Sequence, residues 1–468
     1  MRPNGREPTV SVVELDEVED GAAARSRGAR GPLWGWARRR PVLAAVAGTL
    51  AVGLLVGFVL VAPHVAADRE RVAVLEPAAF DGAVHSLARA PRERWSAPAA
   101  SAMAPVLVGD VVVVAQDSPV LHLAGLDVVT GKPLWRTEAI GTTAAPVQGC
   151  VESAARLACI VGLRGRGERP PSRVVLVDVG TGRVLADHPV QGRWVEIEAV
   201  DDDVVLAGWV PAGMGVVRVD PTSGAQEWTT PPSDRAHPRA TGNIGLAVAG
   251  RVVVASSFPA QMAIDAADGH PLPVAISDDL VRLRPDGVYV RTRFESRAGG
   301  VSATSVLMDG AGRVVRTARG EAVIPAVHDP ASPRVLTVEA TRGGVGVRAY
   351  TDGAAPLWRA AEPAGWVVAD AGGRVVVERN GSLVGLDAAS GERVWQRPAG
   401  VESRSAFSDG DRVAVLVNLP GSESGMAALR LADGDREWQV ALPTGTRRVV
   451  RLGAELYALS TDRLVALR

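Results

Sequence analysis

Cys150 and Cys159 are the residues whose type and spacing most directly suggest chemistry; they flank the stretch VESAARLA. A four-residue turn at 153–156 would set Glu152 opposite Leu157 and Cys150 opposite Cys159. Directly opposed residues of an antiparallel pair have Cα atoms about 4.5–5.5 Å apart, within disulfide reach. The spacing therefore predicts a Cys150–Cys159 disulfide, the alternative being two buried thiols. The seven histidines (His64, His85, His122, His188, His237, His270 and His328) are scattered, with neither an HxH nor an HExxH spacing, so no zinc site is expected. Asp201, Asp202 and Asp203 could meet calcium, but they read more simply as a solvated strand turn. Residues 162–167, GLRGRG, read as an Arg-rich surface loop able to meet an anionic partner or water. No GxSxG, Walker A or dinucleotide fingerprint stands out. No catalytic, cofactor-binding or metal-ligating set is expected, and no cofactor.

The chain has 468 residues and a formal net charge of −1. That balance argues against a nucleic-acid footprint, while the length implies several domains or one large repeat fold. Tryptophan is abundant, 11 residues against 5 Phe and 3 Tyr, which points to a repeated structural role. Charge is unevenly placed: Arg25, Arg27, Arg30, Arg38, Arg39 and Arg40 crowd one short segment. A charge-free run follows, and its 21 residues from Val42 to Ala62 would span about 30 Å as a helix, the thickness of a bilayer core. The positive-inside rule then puts the N-terminus in the cytoplasm and everything after Pro63 outside.

A cleaved signal peptide is the rival reading, with VAA at 65–67 as its cleavage site. The long segment before the apolar run and the length of the run itself favour a retained anchor. Gly53 and Gly57 form a GxxxG pair, common in any membrane helix and able to dimerise one. Residues 1–40 read as a disordered cytosolic tail, 41–63 as the transmembrane helix, 64–91 as a stalk, and 92–468 as the folded domain.

That domain repeats. In GLDVVTGKPLW, Asp127, Gly131 and Trp135 stand at offsets 0, +4 and +8. The pattern returns at Asp178/Gly182, Asp220/Gly224/Trp228, Asp265/Gly269 and Asp387/Gly391/Trp395. It is looser where Met308, Tyr350 and Arg430 occupy the Asp place. A period near 40–45 residues with no helical pattern between repeats predicts propeller blades. Asp can accept turn N–H groups. Gly supplies the positive φ of a tight turn. Trp can fill the wedge between diverging blades, a role expected of Trp95, Trp135, Trp228, Trp358, Trp395 and Trp438. The C-terminal DRLVALR lacks an outer strand, and RERWSAP at 92–98 is an outer strand without a blade, so each should complete the other. The expected fold is all-β: a closed propeller of eight four-stranded blades, nine by literal repeat count, preceded by one transmembrane helix.

These motifs resemble the PQQ-repeat quinoprotein propellers, and in layout the non-catalytic BamB-like branch, over residues 92–468. The resemblance implies the fold. It leaves activity open, because the family includes dehydrogenases and non-catalytic scaffolds. The family's enzymes hold a quinone with calcium, many of them beneath a disulfide of adjacent cysteines. This chain has no adjacent Cys pair, and no residue-by-residue match to their catalytic Asp or calcium-ligating Glu and Asn is evident.

The expectation is a membrane-anchored, non-catalytic, extracytoplasmic binding or scaffold module. Its partners would be the bilayer, through one helix, and an unknown extracytoplasmic protein, with no nucleic acid. The alternatives are a membrane-bound quinone-dependent dehydrogenase and a receptor-like sensor of a small molecule or glycan.

Overall fold

The strand Val111–Gln116 shows why this sequence builds a stack of sheets. Its side chains alternate between two faces, and both faces are buried. Val111, Val113 and Ala115 enter one core cluster, while Val112 and Val114 enter another. A sheet apolar on both faces needs a neighbour on each side, and a run such as VVVVA satisfies that need where strict apolar–polar alternation would not.

The computed structural model describes residues 71–468 apart from short intervening segments, the longest being 163–170, 232–243 and 273–278. The chain divides after Ala66, and all described residues lie in the unit Ala67–Arg468. The expected span Val42–Ala62, the Gly53/Gly57 pair and the 1–40 tail lie outside the described residues. Within them, no helix is long and apolar enough to cross a membrane.

The described strands form nine sheets. In chain order these blades cover residues 106–136, 147–190, 193–229, 245–265, 279–319, 321–359, 367–398, 401–441 and 448–467. The literal repeat count was thus the right one, and the figure of eight is corrected to nine. The weakest repeat does fold: blade 5 turns on Asp309, not Met308. There Gly312 N–H donates to the carbonyl of Asp309, three residues back, where other repeats close over four. Blade 4 departs from the four-strand expectation, with three strands among the described residues.

Nine core clusters match the nine blade-to-blade interfaces. The last of them joins blade 9 to blade 1 through Tyr457, Leu459 and Leu464 against Val112, Val114 and Leu126, so the ring is closed. Closure uses both ends of the domain. Glu93–Pro98 pairs antiparallel with Arg463–Leu467, placing Trp95 opposite Ala466 and Glu93 opposite Leu467.

The repeat Trp residues tie each blade to the next. The indole N–H of Trp95 donates to the carbonyl of Val128 at 3.1 Å. Trp228 donates to Ala266 at 3.0 Å, Trp358 to Ala388 at 2.9 Å, and Trp395 to Leu431 at 2.8 Å; Trp135 reaches Val179. Each acceptor directly follows the Asp position of the next repeat. Two glycines grip the ring of Trp395. A Cβ on Gly385, its cross-strand partner, would fall 2.1 Å from the indole Cε2, and one on Gly434 of the next blade 2.5 Å from Cδ2. In blade 2 no Trp stands at this place. His188 fills it, with its Nε2 2.9 Å from the carbonyl of Thr222 and its ring against Gly224.

Trp438 faces blade 9, and its acceptor there is not a repeat turn. The chain supplies a substitute. Trp438 donates to the carbonyl of Leu87 at 2.6 Å, and Leu87 N–H donates to Asp409 at 2.8 Å. Val84 and Leu87 are buried in the cluster between blades 8 and 9, Phe80 packs against the cluster between blades 7 and 8, and Asp81 bridges to His328. Residues 80–91, read from the sequence as part of a stalk, are therefore packed onto the disc.

The two cysteines stand where the turn argument puts them. Ala154 and Ala155, both with positive φ, make a two-residue turn; Ser153 pairs with Arg156 and Cys150 with Cys159, which are disulfide-bonded. Closing so short a loop restrains the unfolded chain by about 2–3 kcal/mol on the chain-entropy argument. Cys150→Ala/Cys159→Ala is expected to lower stability by about that amount, read as the urea midpoint with and without reductant. A reductant effect equal in wild type and the double variant would show that the bond contributes nothing.

Candidate functional site

The first strands of several neighbouring blades touch, most closely Val147–Ser153 and Arg193–Val200. These two strands form part of the wall of a cavity of about 550 Å³, completed by Ala104, Leu459, Arg447 and Arg448. A volume in this range suits a small ligand.

The wall is charged in a definite pattern. In WVEIEAV the acids alternate with apolar residues, so Glu196 and Glu198 share one face of the strand while Ile197 is buried in the core between blades 2 and 3. Burial raises the Glu196 carboxyl above its ordinary range. Burial, with the like charge of Glu196 added to it, pushes Glu198 up to about 7. On the other side, Arg447 and Arg448 precede and open the first strand of blade 9. Cys150 lines the cavity too, so the disulfide stiffens the wall that packs against the acids. Gln148 Nε2 is held by the carbonyl of Gly162 at 3.1 Å.

This ionisation has a measurable consequence. Glu198 carries a proton in the folded state up to about pH 7, whereas in the unfolded chain it loses it near pH 4.5. Folding therefore binds a proton in that window, and stability falls as pH rises through it. Glu198→Gln is expected to remove most of that fall, leaving the variant more stable by roughly 2–3 kcal/mol at pH 8. Urea midpoints at pH 5 and pH 8 check this; identical slopes in variant and wild type would mean that Glu198 ionises normally.

The other described residues singled out in the sequence are not among the residues lining this cavity. Asp203 pairs with Arg218 at 2.7 Å and Asp201 with the same guanidinium at 3.4 Å, an ion-paired turn. His122 donates through Nδ1 to the carbonyl of Thr137, and His328 lies half-buried near Asp370. No group of three His, Cys, Asp or Glu suited to a metal occurs among the described residues. The repeat carboxylates belong to their turns: Thr181 hydroxyl and N–H both donate to Asp178, holding its carboxyl below the usual range. Most of the 162–167 loop lies outside the described residues. Sequence reasoning missed Glu196, Glu198 and the arginine pair. The alternating VEIEAV carried a signal, because an apolar–acidic alternation on an otherwise buried sheet marks a face open to water.

A family model described as outer membrane protein assembly factor BamB (PQQ_2) matches residues 28–206 and 293–467. The chain belongs to this BamB-type PQQ-repeat propeller family. The unmatched stretch of this BamB-type chain contains blade 4, the sheet with three described strands. No curated protein matches the chain. Among solved structures it is similar to BamB from Moraxella catarrhalis, with 14% identity, 81% of this chain and 98% of that one covered, and a TM-score of 0.47. It is also similar to the quinohemoprotein alcohol dehydrogenase ADHIIG from Pseudomonas putida HK5, with 12% identity, 86% and 81% covered, and a TM-score of 0.39. Sqt1 of Saccharomyces cerevisiae is a third, with 9% identity, 82% and 98% covered, and a TM-score of 0.42.

The family's quinone can be tested against the cavity. A flat ring bearing several carboxylates would find two arginines there, but also two acids that repel it and no aromatic face to stack on. The disulfide lies across a hairpin and joins residues nine apart. This donor set does not fit the cofactor.

Proposed function

We propose that the protein is a membrane-tethered, extracytoplasmic propeller that binds other proteins without catalysing a reaction, in envelope assembly or at the cell surface. The observation that carries this reading is the match to the outer-membrane assembly family over more than half of the chain. The charge-free run Val42–Ala62 behind six arginines supports a single-pass anchor with the N-terminus in the cytoplasm. A disulfide accords with an oxidising compartment outside the cell. The partners are then the bilayer, through one helix, and an extracytoplasmic protein, and the near-neutral charge gives no footing for nucleic acid.

The test is crosslinking of the native protein in intact cells, followed by identification of what it captures. Recovery of one envelope protein at stoichiometric yield is expected, and its loss when the propeller is deleted but residues 1–91 are kept. Turnover of an alcohol with added quinone, calcium and an artificial electron acceptor would overturn the reading in favour of a dehydrogenase.

A further inference from the structure

Arginines elsewhere on the described surface usually have an acid beside them: Arg218 has Asp203, Arg251 has Asp265, Arg412 has Glu437 and Arg397 has Asp435. The charged groups of the central cavity differ. Neither Glu196 nor Glu198 makes an ion pair or side-chain hydrogen bond among the described residues, and neither Arg447 nor Arg448 has an acidic partner there. Two acids and two bases thus line one cavity of about 550 Å³ without neutralising each other. Carboxylates half-withdrawn from water with no cation at hand are unfavourable, and a ligand that brings a cation to them relieves that cost. Arginine guanidinium groups recognise carboxylates by paired N–H donors. The amide of Gln148, fixed through its Nε2, leaves its oxygen to accept a further N–H.

We propose that this cavity is a binding site for a short zwitterionic peptide, its ammonium groups at Glu196 and Glu198 and its carboxylates at Arg447 and Arg448. A ligand with only one charge satisfies half of the wall. A metal ion satisfies the acids alone and leaves the arginines unmatched. A peptide spans both sets and offers backbone N–H groups to Gln148 between them. The site goes beyond the scaffold reading, and it holds whether or not the disc captures a protein on its outer surfaces.

The experiment is calorimetric titration of the full chain, in detergent micelles at pH 7.5, with the unblocked tripeptide Lys-Gly-Glu. Saturable binding is expected, at least tenfold weaker for the peptide with an acetylated N-terminus and Lys replaced by Ala, and at least tenfold weaker for the peptide with an amidated C-terminus and Glu replaced by Gln. Glu196→Gln/Glu198→Gln should erase the first difference and keep the second; Arg447→Gln/Arg448→Gln should do the reverse. Urea midpoints confirm that both variants are folded, and single variants replace a pair that is not. No binding by the wild type at millimolar peptide would overturn the site. So would equal binding of all three peptides, or the same residual affinity pattern in both variants. A protein captured by crosslinking in cells while the peptide fails here would sink the site and leave the scaffold reading standing.

Discussion

Trp395→Ala should lower the stability of the ring by about 3–5 kcal/mol, the range for losing a buried large aromatic side chain. The indole is only 4% exposed. It fills the gap between blades 7 and 8, donates to the carbonyl of Leu431 and lies in a slot shaped by Gly385 and Gly434. Removing it opens a cavity that neither glycine can fill, and leaves a carbonyl without its donor. Gly385→Val attacks the same slot from the other side and should be comparably damaging, because a Cβ there overlaps a ring that is itself held in place. Val394, next in the chain and 44% exposed, is the control: Val394→Ala should fall within about 0.5 kcal/mol of wild type. Urea denaturation followed by tryptophan fluorescence distinguishes them. A Trp395→Ala midpoint no lower than that of Val394→Ala would mean that the indole is not what joins the blades.

Truncation should have an effect at least as large. A protein beginning at residue 78 keeps the substitute turn and the closing strand. One beginning at residue 92 loses Val84 and Leu87 from the core and deprives the Trp438 indole of its acceptor, a loss of roughly 5 kcal/mol. One beginning at residue 99 also loses Glu93–Pro98, exposing the edge of Arg463–Leu467. An unpaired edge recruits other chains, so this form is expected in aggregates. Size-exclusion chromatography and urea midpoints of the three proteins test the series. Equal midpoints for the first two would show that residues 80–91 merely rest on the disc.

The ring was legible because its motif is local. GLDVVTGKPLW contains the Asp that caps the turn, the Gly that makes it and the Trp that reaches the next blade, all within a few residues. The disulfide was legible for the same reason, since one short turn sets the register of Cys150 and Cys159. Elements that depend on distant partners were not. Leu87 meets groups more than 300 residues away, and AVHSLARA offers no periodicity to announce it. His188 was hidden because it lies two residues beyond the expected Trp place and differs in type. The cavity is assembled from blades 2, 3 and 9, so VEIEAV and TRRVV show their common purpose only once the ring brings them together.

Joining the first strand of the domain to its last also has a kinetic side. Glu93–Pro98 is made well before its partner Arg463–Leu467, which lies about 370 residues further along the chain. At the usual ~5–20 residues per second, the first strand waits on the order of 20–70 s for it. During that interval Trp95 can already reach its acceptor on blade 1, but the strand around it lacks its ladder partner, and the array of blades made so far has an uncovered flank at each end. A chaperone that shields residues 80–98 until blades 8 and 9 are made would be guarding a stretch whose partners lie hundreds of residues further along the chain.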